Sequence, residues 1–582
     1  MKKYITGWVT LLILSISCSD EFLNRLPLDE ISPQEYFKTA NDLKLFANRF
    51  YPLFPSHSGY GGGTFWIDQN SDNMVPDPED DRMAGTRIIP ASKGGWEWGD
   101  IRQANYFLAN CRNYKDEAKE KREYIAEVYF FKAYLYFEKV KSFGAVPWIS
   151  RPLDTHSPEL FRGRDRRDVV IDSIIMCLDS AIAGLKPKSQ AEAFRLNKEV
   201  ALLMKARVCL YEGTWEKYHV NTEFGVAGKD GTAYLQLAET TATGLMNMHT
   251  LGVYKGPAGS EYFSLFNKLD YSDNNEVLLW KKYDIGLGIY HWCSQYLPFG
   301  GGNTGVTRSL MNSYLCTDGE PISTSPLFLG YDSIQLEAAN RDPRLAQSIL
   351  LPGDIVTMNI PGNPNTYFVK PALDGSAGFR ALTGYCMHKG ANLEYSQQLS
   401  SGGTMACILF RYSEALLILA EAKAELGTLV QGDVDNTINL LRDRIGMIHL
   451  DLDNIANDPN WDFPSLSPVI NEVRRERRVE LAFEGFRWDD LARWRAHHLF
   501  AGLRPKGIKY LGSNLEGSYK DYLGNPTIVV GQNLFVDADG LVDPYQLKFP
   551  SGLGFNPSRD YLAPIPSDEI TLNPDLGQNP GW

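Results

Sequence analysis

The chain has 582 residues, 43% of them hydrophobic and 22% charged, with a formal net charge of −13. This is a globular composition long enough for a sizeable core. A carboxylate excess gains nothing from counterion release on a polyanion, and no basic stripe offsets it, so nucleic acid is disfavoured as a partner. Aromatics are abundant, with 30 Tyr, 28 Phe and 12 Trp. That supply suits a surface that grips flat ligand faces, although most aromatics in any protein are core.

Lys2 and Lys3 precede a mostly apolar run from Tyr4 to Ile16. The run has the length of a signal-peptide core and is too short to cross a bilayer. It ends at Ser15-Ile16-Ser17-Cys18, small residues before a cysteine, as in the cleavage box of a bacterial lipoprotein. Ser15 stands where Leu is usual. The reading is a signal segment over 1–17 and an acylated Cys18 opening a tether over 18–30, with an ordinary secretory signal as the alternative. Ser19-Asp20-Glu21 resembles the acidic patch that sends Bacteroidetes lipoproteins to the cell surface. No later apolar stretch reaches about 18 residues, so the expected anchor is lipid and not a helix. The other seven cysteines form no C-x-x-C pair and cannot all be bridged within one chain. Cys111, Cys177 and Cys209 fall in helical apolar patterns and read as inert buried thiols.

Helical period dominates the first half. Pro33–Tyr51 places Phe37, Ala40, Leu43, Phe46 and Phe50 three or four residues apart. Ile101–Tyr114, Tyr124–Val140, Asp165–Leu185 and Lys198–Tyr211 repeat the pattern, with Pro147 and Pro187 in the gaps. Such spacing predicts amphipathic helices packed on one another. From Gly213 to about Met405 the chain is rich in Gly, Pro, Asn and Asp, and an irregular region is expected, with strands at Glu276–Tyr283 and Thr366–Val369. Helical period returns over Phe410–Leu426, Asp435–Ile445, Ser467–Glu484 and Trp488–His498, and after Gly502 the chain is loop-rich to Trp582. Ala133, Ala206 and Ala422 each lie in an apolar helix expected to end near a glycine, at Gly144, Gly213 and Gly427. Small residues at a helix contact let neighbours approach, as tetratricopeptide-type pairs require.

Several segments resemble one family, in order. They are Cys18 to Leu23; Trp98 with Ile101-Arg102-Gln103-Ala104-Asn105; Arg341-Asp342-Pro343-Arg344; Arg411-Tyr412-Ser413-Glu414-Ala415; the block from Arg474 to Trp494; Leu562-Ala563-Pro564-Ile565-Pro566; and Gln578-Asn579-Pro580-Gly581-Trp582. Together they resemble the SusD/RagB family of nutrient-binding outer-membrane lipoproteins over nearly the whole chain. The resemblance implies a mostly α fold: about four tetratricopeptide-like helix pairs carrying a large irregular, loop-rich cap. It implies one SusD-like unit over 31–582, with an N-terminal helical part over 31–230 and a C-terminal part over 270–582. It also implies a lipid-anchored protein on the outer face of the outer membrane. There it would capture oligosaccharide for a TonB-dependent, SusC-like transporter; some relatives similar in fold take peptides.

Glu476, Glu480 and Glu484 share a helix face, and a glycosidase needs two flanking carboxyls. Arg474, Arg477 and Arg478 interleave with them, which keeps each Glu ionised and removes the acid catalyst, so the expectation is a structural ion-pair network and no enzyme. Asp68, Asn70, Asp72, Asn73 and Glu79 match the spacing of an EF-hand loop and make a calcium candidate, but Pro76 and Pro78 would block the exit helix. A solvated acidic loop or polar ligand contacts are the preferred reading, and no cofactor is expected. Gly300 to Gly305 spells G-x-G-x-x-G without a βαβ frame and carries nothing. The functional expectation rests on aromatics in glycine-flanked loops: Trp66 beside Asp72 and Asn73, Trp96, and the segment of Tyr290, Trp292 and Tyr296. Sugar rings stack on aromatic faces while polar tips take the hydroxyls. Trp292 is the sharpest candidate, and one face built from the segments around Trp66 and Tyr290 is expected.

Overall fold

The computed structural model describes residues 37, 39–57, 61–111, 119–297, 302–376, 378–400 and 402–582. Cys18 and the segment preceding it lie outside the described residues. The helices used below are α1 (Ala40–Asn48), α2 (Gly99–Asn110), α3 (Lys119–Phe143), α4 (Arg167–Gly184), α5 (Lys198–Tyr218), α6 (Thr232–Met246), α7 (Tyr412–Leu426), α8 (Ile438–Ile445), α9 (Pro468–Glu480) and α10 (Arg487–Arg493). Sequence neighbours pack in succession: α2 on α3, α3 on α4, α4 on α5 and α5 on α6. The stack then continues from α6 to α7, although about 160 residues of cap separate them in the chain, and from α7 to α9. Ala133, Ala206 and Ala422 are all fully buried, as small residues at helix contacts should be. The fold is the helical-repeat scaffold with an irregular cap that the resemblance implies.

Three expectations need correction. Gly213 does not end its helix; α5 runs on to Tyr218. The region after it holds a further helix, α6, which buries Tyr234, Leu235, Ala238, Ala242 and Leu245 on one face. The C-terminal block is also shorter in helix than its period suggests. Helix α9 stops at Glu480, and Phe483, in the left-handed region at φ 67°, turns the chain before α10 begins.

The cap is closed by its own ends. Strand β1 (Val277–Lys281) pairs antiparallel with β2 (Cys407–Arg411), which leads directly into α7. This clamp ties the cap to the scaffold. One hydrophobic cluster runs through the helices, and a second, around Tyr262, Tyr271, Tyr314 and Tyr385, fills the cap. All seven described cysteines are buried and unbridged. Among the described residues no helix is long and apolar enough to cross a membrane.

Between scaffold and cap lies the Glu476–Glu480–Glu484 stripe, and it is an ion-pair network. Glu480 accepts from Arg411 at 2.8 Å, Arg444 at 2.6 and 2.7 Å, and Arg344 at 3.1 Å. Glu476 faces Arg344 and Arg442, and Glu484 faces Arg411 and Lys389. The interleaved arginines point elsewhere: Arg474 to Glu425, Arg477 to Asp490, Arg478 to Asp72. Burial works against the charge of Glu480, but Arg444, Arg411 and Arg344 outweigh it and hold its carboxyl far below the usual range. No carboxyl of this stripe is placed to act as a proton donor at neutral pH.

Candidate ligand-binding site

The two segments expected to form one face do meet. Trp66 packs edge-on against Tyr296, with ring centroids 6.1 Å apart, and the Cys293 thiol donates to the Gly62 carbonyl at 3.0 Å. Trp66 is half-buried. A β-carbon on Gly61, Gly62 or Gly302 would lie within 2.7 Å of its indole, so glycine backbone packs directly on the ring. Trp292 is also half-buried, with its indole nitrogen inside the protein. Tyr290 is the residue of this group that faces solvent, at 40% exposure.

Three expected ligand residues belong to the interior. Trp96 is buried edge-on between Trp98 and Phe143. Asp72 makes a bidentate pair with Arg487 at 2.6 and 2.8 Å and a second pair with Arg478, and Asn73 accepts from Arg478 at 3.0 Å. They fasten the early segment to the α9–α10 corner and are not free for ligand hydroxyls. The acidic side chains of the calcium candidate have protein partners in the same way. Asp68 is buried and accepts the backbone N–H groups of Phe483 and Gly485 at 2.8 and 3.1 Å, while Glu79 pairs with Lys548. Asn70 stays half-buried beside them. Among the described residues no three His, Cys, Asp or Glu side chains are grouped to hold a metal.

Burial pushes the Asp72 carboxyl up, but Arg478 and Arg487 outweigh it and hold its pKa at about 2. The model-peptide value is about 3.9. A depressed pKa contributes stability above the unfolded value and loses it as pH falls through the folded one. The chain is therefore expected to be more stable than Asp72→Asn by an extra ~2 kcal/mol at pH 6, a margin that disappears between about pH 4 and pH 2. Urea denaturation of both proteins across that range checks it; a margin independent of pH would mean that the pair is not ionic.

Tyr290 instead opens onto a broad recess, a cavity of about 850 Å³. Its walls come from separate elements: Tyr51 after α1, Phe194 between α4 and α5, Trp280 and Tyr283 from the end of β1, and Tyr290 from the loop that follows. Lys44, Glu192 and Lys282 also line it. Phe194 stands edge-on to Trp280, with centroids 4.8 Å apart, and is 44% exposed. It is held at φ 64°, a region that bulky side chains rarely adopt and that costs on the order of 1–3 kcal/mol. The next residue supplies the restraint: Arg195 pairs with buried Glu127 and donates to Asn48 at 2.6 Å. Tyr283 is fixed by its hydroxyl, which accepts the His57 N–H at 2.7 Å.

The cavity connects to the Trp66 segment through a chain of rings. His57 stacks on Phe65 and Tyr283 and lies 4.7 Å from His291. Burial lowers the pKa of both histidines, that of His291 to about 4, so this link is uncharged at neutral pH. The sequence pointed to Tyr290 and missed Tyr51, Phe194, Trp280 and Tyr283. An aromatic beside a cation, as in Phe194-Arg195 and Trp280-Lys281, was the available signal.

The sequence pattern of the SusD family matches residues 280–582. Two SusD-like proteins of Formosa agariphila are similar along the chain. One is 22% identical over 602 residues, covering all of both proteins, and the other 23% identical over 526 residues, covering 85% of this chain and 92% of the relative. A SusD-like carbohydrate binding protein from Bacteroides fragilis superposes with a TM-score of 0.70 at 21% identity, covering 93% of this chain and 99% of that one. A second SusD-like protein from the same organism gives 0.70 at 22% identity, covering 96% and 100%. With the pattern spanning more than half of the residues and the fold shared over 93% of the chain, the chain belongs to the SusD family.

Proposed function

We propose that this protein is a surface lipoprotein, anchored through Cys18, that binds oligosaccharide in the aromatic cavity and delivers it to a TonB-dependent, SusC-like outer-membrane transporter. The observation that carries the reading is the cavity itself: aromatic faces from four parts of the chain converge on one recess with charged side chains at its rim. Sugar rings offer C–H faces to such platforms and hydroxyls to such a rim. The similarity to a carbohydrate binding protein of Bacteroides fragilis supports the ligand class. Capture is favoured over catalysis because the carboxylates of the α9 stripe are committed to buried cations.

Calorimetry of the protein against panels of oligosaccharides and peptides tests this. Tyr290→Ala and Phe194→Ala are each expected to weaken binding several-fold. Each platform is worth roughly 0.5–1.5 kcal/mol beyond its buried area. Both side chains are substantially exposed, so the melting temperature should hardly move. Oligosaccharide binding indifferent to both substitutions would place the site elsewhere, and binding confined to the peptide panel would overturn the ligand class.

A further inference from the structure

The charges of the aromatic cavity run against those of the whole chain, which carries 71 acidic and 58 basic side chains. Among the described residues that line the cavity, Lys44, Arg195, Lys281 and Lys282 are basic, and Glu192 is the acid. Two of the cations are already matched. Lys44 pairs with Glu192 at 2.7 Å, and Arg195 pairs with buried Glu127.

The other two stand side by side where β1 ends, directly after Trp280. Lys282 has Asp270 at 3.8 Å, beyond hydrogen-bond reach, and both side chains are 48% exposed, so water screens the pair. Lys281 is half-buried, and its ammonium donates to the Phe54 carbonyl at 2.6 Å. An ammonium has three donors, and the carbonyl takes one of them. No carboxylate pairs with Lys281 among the described residues. Burial lowers its pKa, and the group that opposes this is the Cys407 thiol, which burial pushes up to about 11 and so leaves neutral. A cation taken partly out of water without a counter-ion has lost hydration that one carbonyl replaces only in part. An anionic ligand group would replace the rest, through charge-assisted hydrogen bonds roughly twice as strong as those to a hydroxyl.

We infer that the cavity takes acidic oligosaccharide, with a carboxylate or sulfate substituent seated at Lys281 and Lys282 while the sugar rings lie on Trp280, Phe194 and Tyr290. The inference rests on the reading of this cavity as the saccharide site and narrows its ligand class. A neutral glycan would use the aromatic faces and leave both ammoniums without a partner.

The test is calorimetry of the full chain with acidic oligosaccharides and their uncharged counterparts. Trigalacturonate and trimannuronate are compared with their methyl esters, and neocarratetraose sulfate with the desulfated tetrasaccharide. At least one acidic ligand is expected to bind roughly tenfold tighter than its counterpart, the worth of one charge-assisted hydrogen bond. The pair that shows the difference tells carboxylate from sulfate. Lys281→Gln and Lys282→Gln should each remove most of that preference, and raising NaCl from about 50 to 500 mM should narrow it in the unaltered chain. Lys282→Gln changes an exposed side chain and carries the test should Lys281→Gln fail to fold. Tyr290→Ala should weaken both members of a pair alike. No binding of any acidic member, equal affinity within every pair, or a preference that survives both glutamine substitutions overturns the inference. In those cases, uncharged ligands that still lose affinity on Tyr290→Ala leave the saccharide reading of the cavity standing. Binding indifferent to Tyr290→Ala and to both lysine substitutions removes that reading as well.

Discussion

Glu480→Ala is expected to destabilise the protein by about 3–5 kcal/mol, the cost of breaking a buried ion pair from one side. Glu480 is fully buried, and its carboxylate touches three arginines. Two of them keep other anions: Arg344 retains Asp342 and Glu476, and Arg411 retains Glu276 and Glu484. Arg444 is left with Glu276 at 3.4 Å, and its Nε already lacks a partner. The loss is therefore concentrated on one buried guanidinium, which cannot shed its charge to escape. A fall in the urea midpoint with oligosaccharide affinity preserved in the folded fraction is the expected result. An unchanged midpoint with abolished binding would make the stripe a ligand site instead of a brace.

This network also shows where the sequence stops being readable. The carboxylate stripe was legible from i, i+4 spacing, and so was its structural role. Its partners were not. The nearest arginines in sequence pair with other acids, while Arg344, Arg411 and Arg444 reach Glu480 from 136, 69 and 36 residues away. Helix period reports which face is buried, not what is buried against it. Helix α6 was obscured for a related reason. Its apolar positions recur correctly, but Thr232, Thr240, Thr241 and Thr243 dilute the stripe and Gly231 stands at its start, so local propensity reads as loop. Packing against α5 and α7 overrides that propensity. In the site, Tyr290 was visible as an aromatic in a glycine-flanked loop. Tyr51, Phe194 and Trp280 were not, because their convergence depends on the β1–β2 clamp closing the cap onto the first helices.

The crossing of α5 and α6 yields the other large effect. Gly231 caps α6 at φ 78°, and a β-carbon there would lie 1.8 Å from the Gly213 carbonyl oxygen in the C-terminal part of α5. Gly213 in turn faces Leu235, whose backbone nitrogen would sit 2.9 Å from an added β-carbon. Both obstacles are helix backbone and cannot rotate aside. Gly231→Ala must therefore lever α6 off α5, and because α6 also packs on α7 the strain reaches the clamp that leads into α7. Overpacking costs about 1–3 kcal/mol and an alanine in the left-handed region roughly 1–2 kcal/mol more. A loss of about 3 kcal/mol is expected. Gly228→Ala supplies the control: its φ is 74°, and nothing lies within 4 Å of its added β-carbon. That variant should lose only the conformational part, roughly 1–2 kcal/mol. Urea denaturation of the two variants side by side isolates the steric part, and equal midpoints would mean that the helices are not held at this separation by the paired glycines.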